Sequence, residues 1–262
     1  MSDILTERSG NILRVTVNRP AKKNAMTSAM YNDLAEAFNG ANEDERVLVV
    51  IWDAAGDSFS AGNDVQDFLN NPPGTGESPQ SRLGNALLNL DKPLIAVVQG
   101  AAIGGGTTLL TYCDFVYAGE SAKFQLPFVN LALVPEFGSS YSLPARAGYI
   151  PAAELFLTGQ MFDPKHATEI GLVTRVVPDA QLAATADETA GKLAAKPPSA
   201  LQAIKKLLRR SSREGVEQAI KAESGEFTTR LRSAEAKEAF TAFLEKRPPD
   251  FSKAQVAASQ QH

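Results

Sequence analysis

The sequence predicts an α/β core on a largely parallel sheet, followed by a helical C-terminal region. Three observations predict it. Strand-like and helix-like segments alternate from the N-terminus to about Val177, the pattern of βαβ-type connections. Val47–Trp52 and Leu94–Val98 are short, continuous apolar runs, as strands covered on both faces require. From about Asp179 the chain reads almost entirely as helix.

The elements follow in order. Ile4–Arg8 and Ile12–Val17 form a hairpin around Ser9-Gly10-Asn11. Thr27 or Ser28 caps a helix to about Asn39, with Met30, Leu34, Ala37 and Phe38 on one face. Val47–Trp52 is a strand. Asn70–Glu77 is rich in Pro and Gly and reads as a mobile loop. Gly84–Leu90 is helical, Leu94–Gln99 is a strand, and a helix runs from the triple glycine to about Cys113. Asp114–Ala118 and Lys123–Gln125 are short strands. Helices are expected at Gln181–Ala194, Ser199–Arg210, Glu214–Thr228 and Ala234–Lys246, and 250–262 is a polar, frayed tail. The chain divides into a core of residues 1–198 and a helical region of residues 199–262.

The 262 residues fit one large domain, or one domain with a helical tail, and 44% hydrophobic content supplies a core. A net charge of −4 argues against a general nucleic-acid binder. A single cysteine, Cys113, precludes an intrachain disulfide and suits a cytoplasmic setting. Two histidines and one cysteine give no zinc-site spacing, so no metal is expected. The N-terminus lacks a basic start followed by an apolar core, so no signal peptide is read. Pro93–Cys113 carries no charge and has the length of a membrane span. Gln99, four glycines and three threonines interrupt it. Strand, loop and buried helix fit it better, and no membrane is expected as a partner.

Two glycine-containing loops carry the chemistry, Phe59-Ser60-Ala61-Gly62-Asn63-Asp64 and Gly100-Ala101-Ala102-Ile103-Gly104-Gly105-Gly106. Each follows an apolar strand and can turn backbone N–H groups outward. Two such groups converging on one point stabilise negative charge developing on a carbonyl oxygen, which points to acyl chemistry. Gly104–Leu109 fails the G-x-G-x-x-G pattern and no Lys-Ser or Lys-Thr follows the glycines, so a phosphate cradle fits poorly.

These loops resemble the two oxyanion-hole signatures of the crotonase, or enoyl-CoA hydratase/isomerase, family. The resemblance runs from Asn18-Arg19-Pro20-Ala21-Lys22-Lys23-Asn24-Ala25 to Phe243-Leu244-Glu245-Lys246-Arg247. It implies a spiral of ββα units with a C-terminal helical region that drives trimerisation. It implies oxyanion donors at the backbone N–H groups of Asn63 and Gly105. The helix expected after Gly105 would favour an anion at its N-terminus. The simpler reading of each loop is a tight strand-to-helix turn.

The acid/base residue decides the reaction. Hydratases of this family use two glutamates, at positions where this chain has Thr108 and Phe128. Neither side chain moves a proton as a carboxylate does, and water addition needs both an activating base and a proton source. A different carboxylate, Glu136, lies in Leu131-Ala132-Leu133-Val134-Pro135-Glu136-Phe137-Gly138-Ser139-Ser140-Tyr141. This segment, with Ala61-Gly62-Asn63-Asp64-Val65, resembles Δ3,Δ2-enoyl-CoA isomerases of the peroxisomal type and their single catalytic glutamate. Apolar neighbours, Leu133, Val134, Phe137 and Phe128, would raise the Glu136 pKa toward that of a useful base. The simpler reading is an acid complementing a helix N-terminus.

The resemblance implies acyl-CoA as substrate and no separate cofactor. Lys22, Lys23 and Lys246 are candidate CoA contacts, though each reads equally as ordinary surface charge. Ala25, Ala61, Gly62, Asp64, Val65 and Phe243 complete the expected binding set. Asp64 reads alternatively as a cap for a helix from Val65. By resemblance Phe243 and Lys246 reach the CoA of a neighbouring subunit, and the assembly is a homotrimer or hexamer. Asp114 reads as a structural turn contact, His166 as part of a helix start, and Lys205-Lys206 with Arg209-Arg210 as a solvated face. The expected activity is migration of a 3-enoyl-CoA double bond to the 2-position. The alternatives are hydration or another acyl-CoA reaction on the same scaffold, for which Asp67 and Glu77 are the nearest second carboxylates in sequence, or a non-enzymatic acyl-CoA-binding protein.

Overall fold

The computed structural model describes residues 2–70 and 77–252. Strands β1 (Ile4–Ser9) and β2 (Ile12–Val17) form the expected hairpin. Thr27 caps α1 (Ser28–Glu43) through its hydroxyl, which accepts from the Met30 N–H. Next come β3 (Val49–Ala54), α2 (Val65–Asn70), α3 (Pro79–Asn89), β4 (Leu94–Val98), β5 (Ala101–Ile103) and α4 (Gly105–Thr108). They are followed by β6 (Phe115–Gly119), β7 (Lys123–Gln125), α5 (Ser139–Ala147), α6 (Tyr149–Thr158), β8 (Met161–Phe162), α7 (Pro164–Glu169) and β9 (Arg175–Val177). Three helices close the described chain: α8 (Leu182–Ala194), α9 (Pro198–Leu231) and α10 (Ala234–Leu244).

The strands form two sheets, β1-β2-β3-β4-β6-β9 and β5-β7-β8. The large sheet is parallel from β2 to β9, with β1 antiparallel at its edge. Consecutive strands β4 and β5 part company at Gln99-Gly100, one joining each sheet, and β6 and β7 repeat the split. This is the ββα arrangement that the resemblance implies; β7 is the short strand expected at Lys123–Gln125, whereas β5 lies within the segment expected as a glycine loop.

Alternation explains why the central strands are apolar throughout. Val49, Ile51, Ile95 and Val97 face α8 and pack on Leu182, Ala186 and Ala190. Val50, Trp52, Leu94 and Ala96 face the larger core with Met30, Leu34 and Phe38 of α1 and Leu83 and Leu87 of α3. Each fully buried side chain of this size contributes about 1.5–3 kcal/mol, so both faces of β3 and β4 are fixed by the same period-two pattern.

The C-terminal helices differ from expectation. Ser199–Arg210 and Glu214–Thr228 are one continuous helix, α9, of 34 residues. Ser211-Ser212-Arg213 does not break it because the flanking arginines are tied down. Arg213 donates to Asn89 Oδ1 at 2.6 Å, and Arg209 donates to the carbonyl of Tyr112. The expected solvated face is also corrected. Lys205 is buried, and its ammonium donates to Lys92 O and Asp114 Oδ2, both at 2.6 Å. Burial pushes the Lys205 pKa down to about 8, against the pull of Asp114. Asp114 also accepts from the Leu94 N–H at 2.8 Å, so it anchors α9 to the start of β4. Hydropathy along one helix could not show this, because the partner carboxylate lies 91 residues away.

Pro93–Cys113 resolves into β4, β5, α4 and a 3-10 turn to Tyr112. Among the described residues no helix is long and apolar enough to cross a membrane. Of the loop expected at Asn70–Glu77, residues 71–76 lie outside the described residues, as do residues 253–262 of the expected tail.

Candidate functional site

The first loop is built by a buried asparagine. Asn24 accepts from the Arg19 N–H through Oδ1 and donates through Nδ2 to the carbonyls of Ala55 and Ser58, at 2.7 to 2.8 Å. Ser60 Oγ donates to Asn24 O and accepts from the Gly62 N–H. Gly62 has φ +85°, and a Cβ there would lie 2.9 Å from Ile103 O. Only glycine lets this loop lie so close to β5.

Asp64 both caps and pairs. Its Oδ1 accepts from the Asp67 N–H, and its Oδ2 accepts from Arg19 at 2.7 Å. Burial pushes the Asp64 carboxyl up, but Arg19 and the Asp67 N–H outweigh it and hold the pKa below the ordinary value. Arg19 therefore ties the Asn18–Ala25 segment to the first loop. Asp67 turns to Ser28 and accepts from its N–H and hydroxyl at 2.7 and 2.8 Å.

The second loop ends in one α-turn, continued by a 3-10 turn, rather than the long helix expected. Gly104 turns the chain at φ +55° and gives its N–H to Gln125 O. Among the described residues the backbone N–H groups of Asn63 and Gly105 make no hydrogen bond. Both residues line one cleft of about 550 Å3.

Glu136 reaches the same point from the opposite wall. A methyl placed on Gly105 would sit 3.1 Å from Glu136 Oε1 and 3.2 Å from Tyr31 Oη. Glu136 Oε1 is buried and has no hydrogen-bond partner. Burial is the main cause that lifts the Glu136 pKa to about 8, and the Glu223 carboxylate adds to it. The Asn63 side chain pulls it back. Tyr31 Oη donates to Asn63 Oδ1 at 2.8 Å, which turns the Asn63 amide nitrogen away from the tyrosine. Burial, then the charge of Glu136, keeps the Tyr31 hydroxyl protonated well beyond its ordinary range.

The turn that presents Glu136 is strained and clamped. Phe137 has φ +61°, a conformation that costs a non-glycine residue about 1 kcal/mol or more. Tyr112 Oη donates to Phe137 O at 2.8 Å. Glu223 Oε2 accepts from the Gly138 N–H at 2.6 Å and Oε1 from the Ser140 N–H at 2.8 Å. Glu223 thus complements the N-terminus of α5, the role that the simpler reading gave to Glu136. The sequence reading missed it, since Glu223 is separated by 85 residues from the loop it holds.

The expected binding residues divide. Lys22, Ala25, Ala61, Gly62, Asp64, Val65 and Phe243 line the cleft with Asn63 and Gly105. Lys23 and Lys246 do not. Lys23 pairs with Asp57 at 3.3 Å, and Lys246 is exposed just after α10. Arg247 takes the lining position, held by Glu238 and Glu245 at 2.6 Å. Phe243 borders the cleft of its own chain. Thr108 is buried, and Phe128 lines the cleft beside Phe156. Cys113 is buried, which pushes its thiol up to about 12 and leaves it inert as a nucleophile.

Residues 7–254 match the family model described as enoyl-CoA hydratase/isomerase. The chain belongs to this family. Among curated relatives, it is 38% identical over 256 residues to enoyl-CoA hydratase EchA19 of Mycobacterium tuberculosis, covering 95% of this chain and 96% of that one. It is 34% identical over 251 residues to enoyl-CoA delta isomerase 2 of Rattus norvegicus, covering 94% of this chain and 64% of the rat protein. Among solved structures, an enoyl-CoA hydratase/isomerase from Pseudoalteromonas atlantica superposes with a TM-score of 0.91 at 38% identity, covering 95% of this chain and 99% of the other. The protein is thus an acyl-CoA hydratase/isomerase family enzyme with the crotonase fold. Hydratases and isomerases both stand among its relatives, so the reaction rests on the residues of the site.

Proposed function

We propose that the enzyme is a Δ3,Δ2-enoyl-CoA isomerase. The observation that carries this reading is Glu136, a buried carboxyl with a raised pKa and an Oε1 without a hydrogen-bond partner, lining one cleft with the Asn63 and Gly105 N–H groups, which make no hydrogen bond among the described residues. The thioester oxygen sits between the Asn63 and Gly105 N–H groups, which stabilise the enolate as it forms. Glu136 takes a proton from C2 and returns it at C4, and the electron pair of the enolate relocates the double bond. One carboxylate suffices because the reaction neither gains nor loses atoms. The only other carboxylate lining this cleft among the described residues is Asp64, which is bound to Arg19. Lys22 and Arg247 are the cations placed to meet the CoA phosphates, and Phe243 offers a face to its adenine.

Hydration is the second reading, favoured by the name of the 38%-identical relative and by Glu223, a second carboxylate near Glu136. Both oxygens of Glu223 are occupied by backbone N–H groups, which leaves it poorly suited to activate water. Proton NMR with 3-hexenoyl-CoA and, separately, 2-hexenoyl-CoA in deuterated water separates the two. Isomerisation moves the double bond without adding water, and the deuterium content at C4 reports how far the Glu136 proton exchanges with solvent before it is returned. Rapid formation of a 3-hydroxyacyl product from 2-hexenoyl-CoA, without double-bond migration, would sink the isomerase reading.

A further inference from the structure

A second cavity, of about 150 Å3, lies behind Glu136. It shares Phe68, Glu136 and Phe227 with the main cleft, so the two cavities adjoin at these three side chains. That volume holds about six non-hydrogen atoms, the size of a benzene ring.

Its far wall is not that of an aliphatic tunnel. Phe137, Ile220 and Phe227 line one part, whereas Ser78, Gln80 and Ser81 from the first turn of α3 line another. Ser78 Oγ donates to Ser81 Oγ at 3.0 Å, which leaves the Ser81 hydroxyl hydrogen without an acceptor among the described residues. The Gln80 amide makes no hydrogen bond among the described residues, although the residue is half-buried. An acyl chain ending in methyl would remove these groups from water and offer them nothing in return. Glu136 and Glu223 also line the cavity, so a carboxylate end would meet two acids.

Resting on the acyl-CoA reading above, we infer that this cavity selects medium-length acyl chains that end in a neutral hydrogen-bonding group, such as a hydroxyl. The reacting carbons C1 to C4 occupy the space between Asn63, Gly105 and Glu136. About six further atoms fill the cavity, and the terminal hydroxyl bonds to Gln80 and Ser81. Gln80 and Ser81 are specificity residues and take no part in proton transfer.

The test is binding, which does not depend on turnover. Isothermal titration compares saturated 9-hydroxynonanoyl-CoA, its isostere decanoyl-CoA, nonanedioyl-CoA and tetradecanoyl-CoA. The hydroxyl ester should bind about 3- to 10-fold tighter than decanoyl-CoA, the effect of one neutral hydrogen bond. Nonanedioyl-CoA should bind at least about 10-fold weaker than the hydroxyl ester. Tetradecanoyl-CoA should gain less than about twofold over decanoyl-CoA, because the extra carbons find no apolar wall. Gln80→Leu with Ser81→Ala should reverse the order of the first two. Decanoyl-CoA binding as tightly as the hydroxyl ester, or steady tightening out to tetradecanoyl-CoA, would overturn the inference while leaving the isomerase reading intact. Failure of every ester to bind would instead remove the acyl-CoA reading itself.

Discussion

The carboxylate of Glu223 accepts a 2.6 Å hydrogen bond from the backbone N–H of Gly138, two residues beyond Glu136. The long helix α9 therefore holds the loop that presents the candidate base. Glu223→Gln keeps the size but offers one acceptor where two are needed, leaving a buried N–H unpaired at a cost of about 1–3 kcal/mol. The melting temperature should fall by a few degrees. Removing the Glu223 charge should also lower the Glu136 pKa, so the acid limb of kcat/KM should move to lower pH. A Glu223→Gln enzyme with an unchanged pH profile would show that this carboxylate acts only as a structural cap.

The wild-type pH profile follows from Glu136 itself. A base must be deprotonated, so kcat/KM should rise through an apparent pKa near 8 and then level off. Stability runs the other way. The folded chain keeps the Glu136 proton to about pH 8, whereas the unfolded chain releases it near 4.5. Between these values the unfolded state binds fewer protons, so stability falls as pH rises and is flat above about 8. Glu136→Gln removes that slope. It should match wild type near pH 4.5 and exceed it by about 3–5 kcal/mol at pH 9. Parallel denaturation curves at both pH values would contradict the assigned environment of Glu136.

Asn63 separates backbone from side chain. Asn63→Ala keeps the N–H donor but loses the amide that lowers the Glu136 pKa and accepts from Tyr31. Turnover should fall about 10-fold at pH 7 and recover in part at pH 9, as the higher pKa is passed. An equal loss at both pH values would mean that the oxyanion donor itself had moved.

Apolar groups left on the surface predict assembly. Ile204, Leu207 and Leu208 of α9 are 53%, 68% and 76% exposed, and Tyr149 and Ile150 of α6 are 76% and 78% exposed. Such patches mark interaction surfaces. Light scattering at micromolar protein should give a homotrimer or a multiple of it, and Leu207→Glu with Leu208→Glu should shift it to monomer. A wild type already monomeric would refute the assembly.

The sequence carried the local chemistry well and the long-range chemistry poorly. The apolar runs at β3 and β4, the Thr27 cap and the Asn63 and Gly105 loops are local patterns, and the folded chain keeps them. Glu136 stood out through the resemblance of its segment to the isomerases, and its apolar neighbours Leu133, Val134 and Phe137 pointed the same way. Tyr31 and Glu223 looked like ordinary helix residues and Arg247 like surface charge beyond the last helix, since each acquires its role from a partner or a cleft wall brought near by folding. Lys205 was misplaced for the same reason, and β5 (Ala101–Ile103), three residues inside a glycine-rich loop, was too short to show a period, whereas β7 was legible.

The central claim is that Glu136 carries the proton between C2 and C4, and turnover of 3-hexenoyl-CoA by Glu136→Gln tests it most directly. The variant keeps the side-chain volume and the clamped turn, so acyl-CoA binding should change little. Turnover should fall by at least ~10²–10⁴, the usual contribution of a positioned acid or base, while Thr108→Ala stays near wild type. A folded Glu136→Gln enzyme that isomerises 3-hexenoyl-CoA at the wild-type rate would contradict the account.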